Sequence, residues 1–158
     1  MSWKNGWRER AIAQVEFKCD RCGRCCTRPE VIDVLVEDVY RLGRHFHTRF
    51  TQTVEKFAVP HRDNPRRMMF KNSHPCMFYQ SICKIYSSRP MVCRMAPFLA
   101  APIPNHNIEL IGGKEYTDDE IFEGLMSSSG LTRHEVVRWL RYIGAWEDGN
   151  NDWHEQTG

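Results

Sequence analysis

Four of the seven cysteines in this 158-residue chain lie within eight residues, and that run constrains the fold more than any other feature. The members of the run are Cys19, Cys22, Cys25 and Cys26. The remaining three share one later segment: Cys76, Cys83 and Cys93. Thiolates are the protein ligands that zinc and iron–sulfur clusters prefer. The sequence therefore predicts that both groups supply metal ligands, either to one site or to two adjacent sites.

The expected compartment and the net charge limit which functions these thiols can serve. Residues 1–17 hold no apolar signal-peptide core, and no apolar run approaches the roughly 20 residues of a membrane helix. We therefore expect a cytoplasmic protein without a membrane partner, in a compartment that keeps thiols reduced. Seven cysteines cannot all pair as disulfides within one chain. The formal net charge of +2 does not indicate a nucleic-acid partner.

The spacing of the run indicates how its thiols divide between metals. Cys19, Cys22 and Cys25 repeat the spacing of the first three ligands of a bacterial ferredoxin run. Cys26 follows at once, unlike a ferredoxin, so we expect the next ligand from the later segment. One tetrahedral zinc or one cubane uses four thiolates, which leaves three for a second site. His74 and Asp20 are candidate ligands there, although a lone histidine near a turn is more often a surface residue.

Three functions remain open at this stage. An iron–sulfur cluster, most simply 4Fe-4S, or a multi-iron site would give a redox or catalytic protein with an unknown redox partner or protein substrate. A closed zinc site would give a structural or interaction module without catalysis. A thiol redox sensor would use the surplus cysteines for reversible oxidation. The surplus of thiolates over one closed site favours iron over zinc.

Two separated blocks of the sequence carry a family resemblance. The first is Cys19-x-x-Cys22-Gly23-x-Cys25-Cys26, followed by Glu37-Asp38-Val39-Tyr40-Arg41-Leu42. The second is Cys76-x-Phe78, then Cys83-x-Ile85-Tyr86-x-x-Arg89-Pro90-x-x-Cys93-Arg94-x-x-Pro97. Over roughly residues 17–98 the chain resembles the YkgJ-like CxxCxxCC cysteine-cluster family. This resemblance implies a zinc- or iron-chelating domain or an iron–sulfur oxidoreductase. Val36 departs from it, where relatives often carry a serine or threonine helix cap.

The same domain is similar to that of the flagellin lysine N-methylase. That likeness implies, as a further alternative, an S-adenosylmethionine-dependent methylase-like enzyme in which Arg94 would bind the carboxylate of that molecule. For the cluster itself, we expect Arg89 and Arg94 to donate hydrogen bonds to sulfur around Cys93. Tyr86 is a third candidate hydrogen-bond donor around the cluster, through its hydroxyl group. The alternative is that its ring only packs against neighbouring residues.

The remaining patterns predict a small α+β fold with one domain over 1–146 and a flexible tail over 147–158. Its cysteine-rich core would contain a short β-hairpin around 68–93 and about four to five helices. Apolar spacing predicts helices at Trp7–Val15, Val36–Phe46 and 51–58. Capping boxes at Thr117 and Thr132 predict two more. A second hairpin is expected over 107–116, and the basic loop 60–67 is expected to be solvated.

Overall fold

The computed structural model describes residues 2–18, 31–73, 75–100 and 114–147, and these form two compact units. The first unit takes its described residues from Met1–Phe17 and Phe98–Gly158, and the second from Lys18–Pro97. Helices combine with short antiparallel strands, so the predicted α+β class is confirmed. The single domain over 1–146 stays a prediction. Most of the proposed 107–116 hairpin and of the tail lies outside the described residues.

The described elements are short. In chain order they are β1 (Ser2–Trp3), α1 (Trp7–Glu16), β2 (Asp33–Val34), α2 (Val36–Phe46), α3 (Phe50–Phe57), β3 (Ala58–Pro60), β4 (Met68–Phe70), β5 (Tyr79–Gln80), β6 (Ile82–Cys83), a 3₁₀ turn (Tyr86–Ser88), α4 (Met91–Met95), α5 (Asp118–Ser129), α6 (Arg133–Tyr142) and β7 (Trp146–Glu147). Among the described helices, none combines the length and apolar content that crossing a bilayer requires.

In the first unit, α1, α5 and α6 surround one apolar core, and β1 pairs with β7 in antiparallel register. Both predicted capping boxes are present. The Glu120 N–H donates to Thr117 Oγ1 at 3.2 Å, and the Glu135 N–H donates to Thr132 Oγ1 at 3.2 Å. Each glutamate in turn accepts from the N–H of its threonine, at 3.1 Å in both boxes. These local bonds fix where α5 and α6 begin, whatever packs against them.

In the second unit, a three-stranded antiparallel sheet has the order β2-β4-β3, and β5 and β6 form a separate hairpin. That hairpin falls inside the segment 68–93, where the sequence predicts one. In the chain, β2 and β3 flank the helical pair α2–α3, and α3 runs directly into β3. Four aromatic rings of this unit form one cluster with centroids 5.1 to 5.8 Å apart, in which Phe78 contacts the other three: Phe46, Phe57 and Phe70.

The buried face of α2 matches the predicted one in part. Apolar spacing predicts one face that contains Val36, Val39, Tyr40, Gly43 and Phe46. Val39 and Gly43 are buried, together with Asp38 and Leu42, whereas Val36 and Tyr40 are 45% and 54% exposed. The spacing omitted Asp38 because it treats a charged residue as solvent-facing, but Asp38 is fully buried with three hydrogen-bond donors around it.

Gly124 permits the close approach of α1 and α5. A Cβ at this position would lie 2.5 Å from Val15 Cγ1 and 2.9 Å from its Cγ2. A valine side chain is restricted at χ1 and cannot easily turn away. We expect Gly124→Ala to lower the free energy of unfolding by about 1 kcal/mol, since overpacking outweighs the gain in helix propensity. Urea denaturation measures the change.

Ser127→Ala is the matched control, because Ser127 lies on the exposed side of the same helix. There the gain in helix propensity acts alone, so stability should stay constant or rise by a few tenths of a kcal/mol. A Gly124→Ala protein as stable as the control would show that α1 and α5 do not pack as closely as described.

Candidate metal site

Cys76 sits in a turn that directs main-chain donors at its sulfur. An isolated antiparallel bridge joins it to Ser73, and the Tyr79 N–H donates to the Cys76 carbonyl oxygen at 3.0 Å. Burial raises the pKa of the Cys76 thiol, whose side chain is 6% exposed. Hydrogen bonds from the backbone N–H groups of Phe78 and Tyr79 lower the same pKa. N–H donors aimed at sulfur stabilise a thiolate, which is the form that binds metal.

Cys83 ends strand β6 and lies directly opposite Tyr79 in the β5–β6 hairpin. The tight turn between the strands requires Ser81 to adopt a left-handed conformation, with φ at 65°. Beyond the hairpin, the Lys84 N–H donates to the Phe78 carbonyl oxygen at 2.9 Å and closes the loop that holds Cys76 and Cys83. Because of these hydrogen bonds, the chain folds back toward the Cys76 turn within seven residues, and one short loop carries both Cys76 and Cys83.

Cys93 lies in the middle of α4, a helix of five residues. Pro90 precedes the helix and accepts from the Cys93 N–H at 3.0 Å, and Pro97 follows it closely. Prolines on both sides exclude a long helix here, and the short helix that fits between them carries the cysteine.

The three described thiols are electrostatic neighbours. Burial raises the pKa of the Cys93 thiol most strongly, and the charges of Cys76 and Cys83 raise it further. The charge of Asp38 acts in the same direction, whereas the Arg89 guanidinium lowers this pKa. Thiolates are the ligands that zinc and iron prefer, and a bound cation would neutralise charges that otherwise repel one another. The chemistry of this donor set therefore fits a bound metal.

Those three cysteines do not form a complete metal site by themselves. Across the described ranges, no group of three or more His, Cys, Asp or Glu side chains is arranged to hold an ion. The other candidate ligands lie outside the described residues: Cys19, Cys22, Cys25, Cys26, Asp20 and His74. Their convergence with the later cysteines stays a prediction.

The side chains of Arg89 and Arg94 donate hydrogen bonds to main-chain carbonyl groups of the loop that precedes Cys93 in the chain. Arg94 donates from Nε to the Arg89 carbonyl oxygen at 2.9 Å and from Nη2 to the Ser87 carbonyl oxygen at 2.8 Å. Arg89 donates to the Tyr86 carbonyl oxygen at 2.9 Å, and its guanidinium lies 3.9 Å from the centre of the Tyr86 ring. Tyr86 thus serves as a packing platform for Arg89. Hydrogen bonds from either arginine to sulfur stay a prediction.

Asp38 is the residue of this region that sequence reasoning missed. Its carboxylate joins two elements: Oδ2 accepts from the Leu35 N–H at 2.8 Å, and Oδ1 accepts from the Met91 N–H at 2.9 Å. Arg41 Nη1 adds a third bond at 3.0 Å. Burial raises the pKa of Asp38 to about 6, although these three donors oppose the rise. Asp38 therefore fixes the start of α4, two residues before Cys93.

One signal for this role was present in the sequence. An aspartate three residues after the helix N-cap commonly accepts from the N-cap N–H, as Asp38 does from Leu35. The bond from Met91, 53 positions away, has no local signal.

Comparison with known proteins identifies a family for this chain. The family model CxxCxxCC, described as "Putative zinc- or iron-chelating domain", matches residues 18–121, more than half of the chain. The chain is also similar to Uncharacterized protein MJ0661 of Methanocaldococcus jannaschii, at 22% identity over 147 residues that cover 85% of this chain and 74% of that protein. No solved structure matches the chain. The chain belongs to the CxxCxxCC family of zinc- or iron-chelating domains.

Proposed function

We propose that this protein binds an iron–sulfur cluster, most simply 4Fe-4S, or a multi-iron site through its seven cysteine thiolates, for a redox or catalytic role. The observation that carries the proposal is the grouping of Cys76, Cys83 and Cys93 as electrostatic neighbours, with N–H donors aimed at the first of them. When bound, such a cluster supplies one-electron transfer.

The chain's own residues have two tasks in this proposal. The β5–β6 hairpin and α4 present the thiols, and burial excludes water from Cys76. Positive charge close to the thiols offsets thiolate charge, and Arg89 already lowers the pKa of Cys93. Hydrogen bonds and charges around cluster sulfurs raise the reduction potential. Arg89 and Arg94 are the residues to which we assign this tuning.

Zinc is the second candidate, because the family description names it beside iron. A closed zinc site needs four ligands and would leave three of seven thiolates unused. We therefore place iron first. A redox partner or a protein substrate is part of the proposal, as is a reducing, cytoplasmic environment that keeps cysteine thiols reduced.

Anaerobic purification followed by elemental analysis and Mössbauer spectroscopy tests the metal. We expect about four iron atoms per chain, with matching acid-labile sulfide and the isomer shifts of a thiolate-bound cluster. Anaerobic handling matters because zinc can replace iron during expression in air. Stoichiometric zinc without iron, after anaerobic expression with added iron, would contradict the cluster and support the structural module. Protein free of both metals would contradict metal binding altogether.

A further inference from the structure

A second feature of the protein lies outside the cysteine segments, where α2 turns into α3. A cavity of about 320 Å³ opens there. Its walls include Tyr40 and Arg44 from α2, His47 and Arg49 from the connection, and Phe50 from α3. Ligand pockets for small molecules begin at roughly 300 Å³, so the space suits a small molecule.

The cavity is built on a tightly fixed turn. The Thr48 N–H donates to the Gly43 carbonyl oxygen at 2.9 Å, and His47 adopts a left-handed conformation with φ at 55°. The Thr48 and Thr53 hydroxyl groups are hydrogen-bonded at 2.7 Å. A Cβ on Gly43 would lie 2.8 Å from the Thr48 carbonyl oxygen, so glycine is needed for this close approach. The backbone of the turn that carries the lining residues is therefore fixed by local bonds.

The charged side chains that line this cavity are basic. Arg44 and Arg49 line it, and no aspartate or glutamate does. Within the described part of the chain, neither Arg44 nor Arg49 forms an ion pair with a carboxylate. Unpaired guanidinium groups beside a preformed concavity favour an anion, above all a phosphate, which their planar donors can bind in pairs.

One wall of the cavity is aromatic. The rings of Tyr40 and Phe50 contact each other with centroids 5.1 Å apart, yet Tyr40 is 54% exposed. A tyrosine with this much exposure beside a cavity offers a face for a flat ring. Cationic side chains and an aromatic wall in one concavity match a ligand that has both a phosphate and a planar ring.

We propose that this cavity binds a small organic phosphate bearing a planar ring, as in a mononucleotide. Arg44 and Arg49 hold the phosphate, and Tyr40 and Phe50 pack against the ring. This assignment is independent of the metal and goes beyond the proposed function. A flat acidic protein surface fits less well, because the charges line a recess rather than a plane.

Equilibrium dialysis of the metal-loaded full chain against AMP, adenosine and inorganic phosphate tests the proposal. We expect AMP to bind at least about tenfold more tightly than either fragment, because only AMP engages both walls. The double variant Arg44→Gln with Arg49→Gln should weaken AMP binding about tenfold or more. Tyr40→Ala should weaken AMP binding and leave phosphate binding unchanged.

The matched control removes the same two charges elsewhere. Arg62→Gln with Arg66→Gln changes the exposed loop between β3 and β4 and should leave AMP binding unchanged. Thermal melts and metal content of each variant show that it is folded. Absence of saturable AMP binding, or equal weakening in both double variants, would overturn the proposal. Binding of an acidic peptide but not of AMP would overturn it as well, in favour of a protein partner.

Discussion

Replacement of Asp38 by alanine is expected to lower the free energy of unfolding by about 3 kcal/mol. The side chain is fully buried, and the change would remove the carboxylate that accepts from the Leu35 N–H, the Met91 N–H and the Arg41 guanidinium. Each buried donor that loses its partner costs about 1 to 3 kcal/mol, partly recovered where water enters. Urea denaturation, followed by circular dichroism, gives the change.

Asp63→Ala is the control for this experiment. Asp63 is an exposed aspartate whose ion pair with Arg62 spans 3.7 Å. Exposed pairs contribute little, so the control should change stability by less than about 0.5 kcal/mol. Equal effects of the two substitutions would show that Asp38 does not join α2 to α4.

The contribution of Asp38 to the free energy of unfolding should fall as the pH rises. Burial raises the pKa of Asp38 to about 6 and the charge of Glu37 raises it further, whereas the Leu35 and Met91 N–H groups and the Arg41 guanidinium lower it. A raised pKa means that the folded state retains a proton the unfolded chain has lost. The stabilisation that this retained proton gives the folded state is fully present below about pH 4 and is lost as the pH rises through 6.

Asp38→Asn isolates this effect because asparagine does not titrate. Relative to that variant, the wild-type protein should lose about 1 kcal/mol between pH 5 and pH 7.5. Paired urea denaturation at both pH values measures the difference. A constant difference between the two proteins would show that the carboxyl group is not buried.

Cys93→Ala is expected to weaken metal binding by about 100-fold or more, since structural metal sites derive about 10 to 16 kcal/mol from some four ligands. Competition with a chromophoric chelator under anaerobic conditions measures the affinity. Val92→Ala is the matched control, because Val92 is the adjacent residue in α4 and is 8% exposed. It should cost about 1 to 2 kcal/mol of stability and leave metal affinity within a few-fold. Equal metal loss in both variants would mean that Cys93 acts through folding alone.

Local signals predicted much of the fold. The two capping boxes are side chain to backbone bonds within four residues, so Thr117 and Thr132 located α5 and α6 without any knowledge of packing. The mixture of helices with short strands followed from the same kind of pattern. The pairing of distant strands could not be predicted in this way, because β2, β3 and β4 have only two or three residues each. Segments this short show no periodicity from which an edge strand or a partner strand could be inferred.

In the candidate site too, some features could be predicted from the sequence and others could not. Cysteine spacing predicted metal ligands because thiolates in such numbers have few other uses, and the family description agrees. The role of Asp38 was missed because burial of a carboxylate depends on a donor, the Met91 N–H, from a distant element. The exposure of Tyr40 was missed because apolar spacing alone cannot distinguish a core face from a surface face.

The central claim is that thiols from both cysteine groups converge around bound metal, at one site or at two adjacent sites. Alkylation of the anaerobic protein, mapped by mass spectrometry before and after chelation, tests this most directly. The account predicts that the thiols at 19–26 and those at 76, 83 and 93 are protected together and become reactive together when the metal is removed. Protection of one group only, with the other equally reactive in the presence and absence of metal, would contradict it.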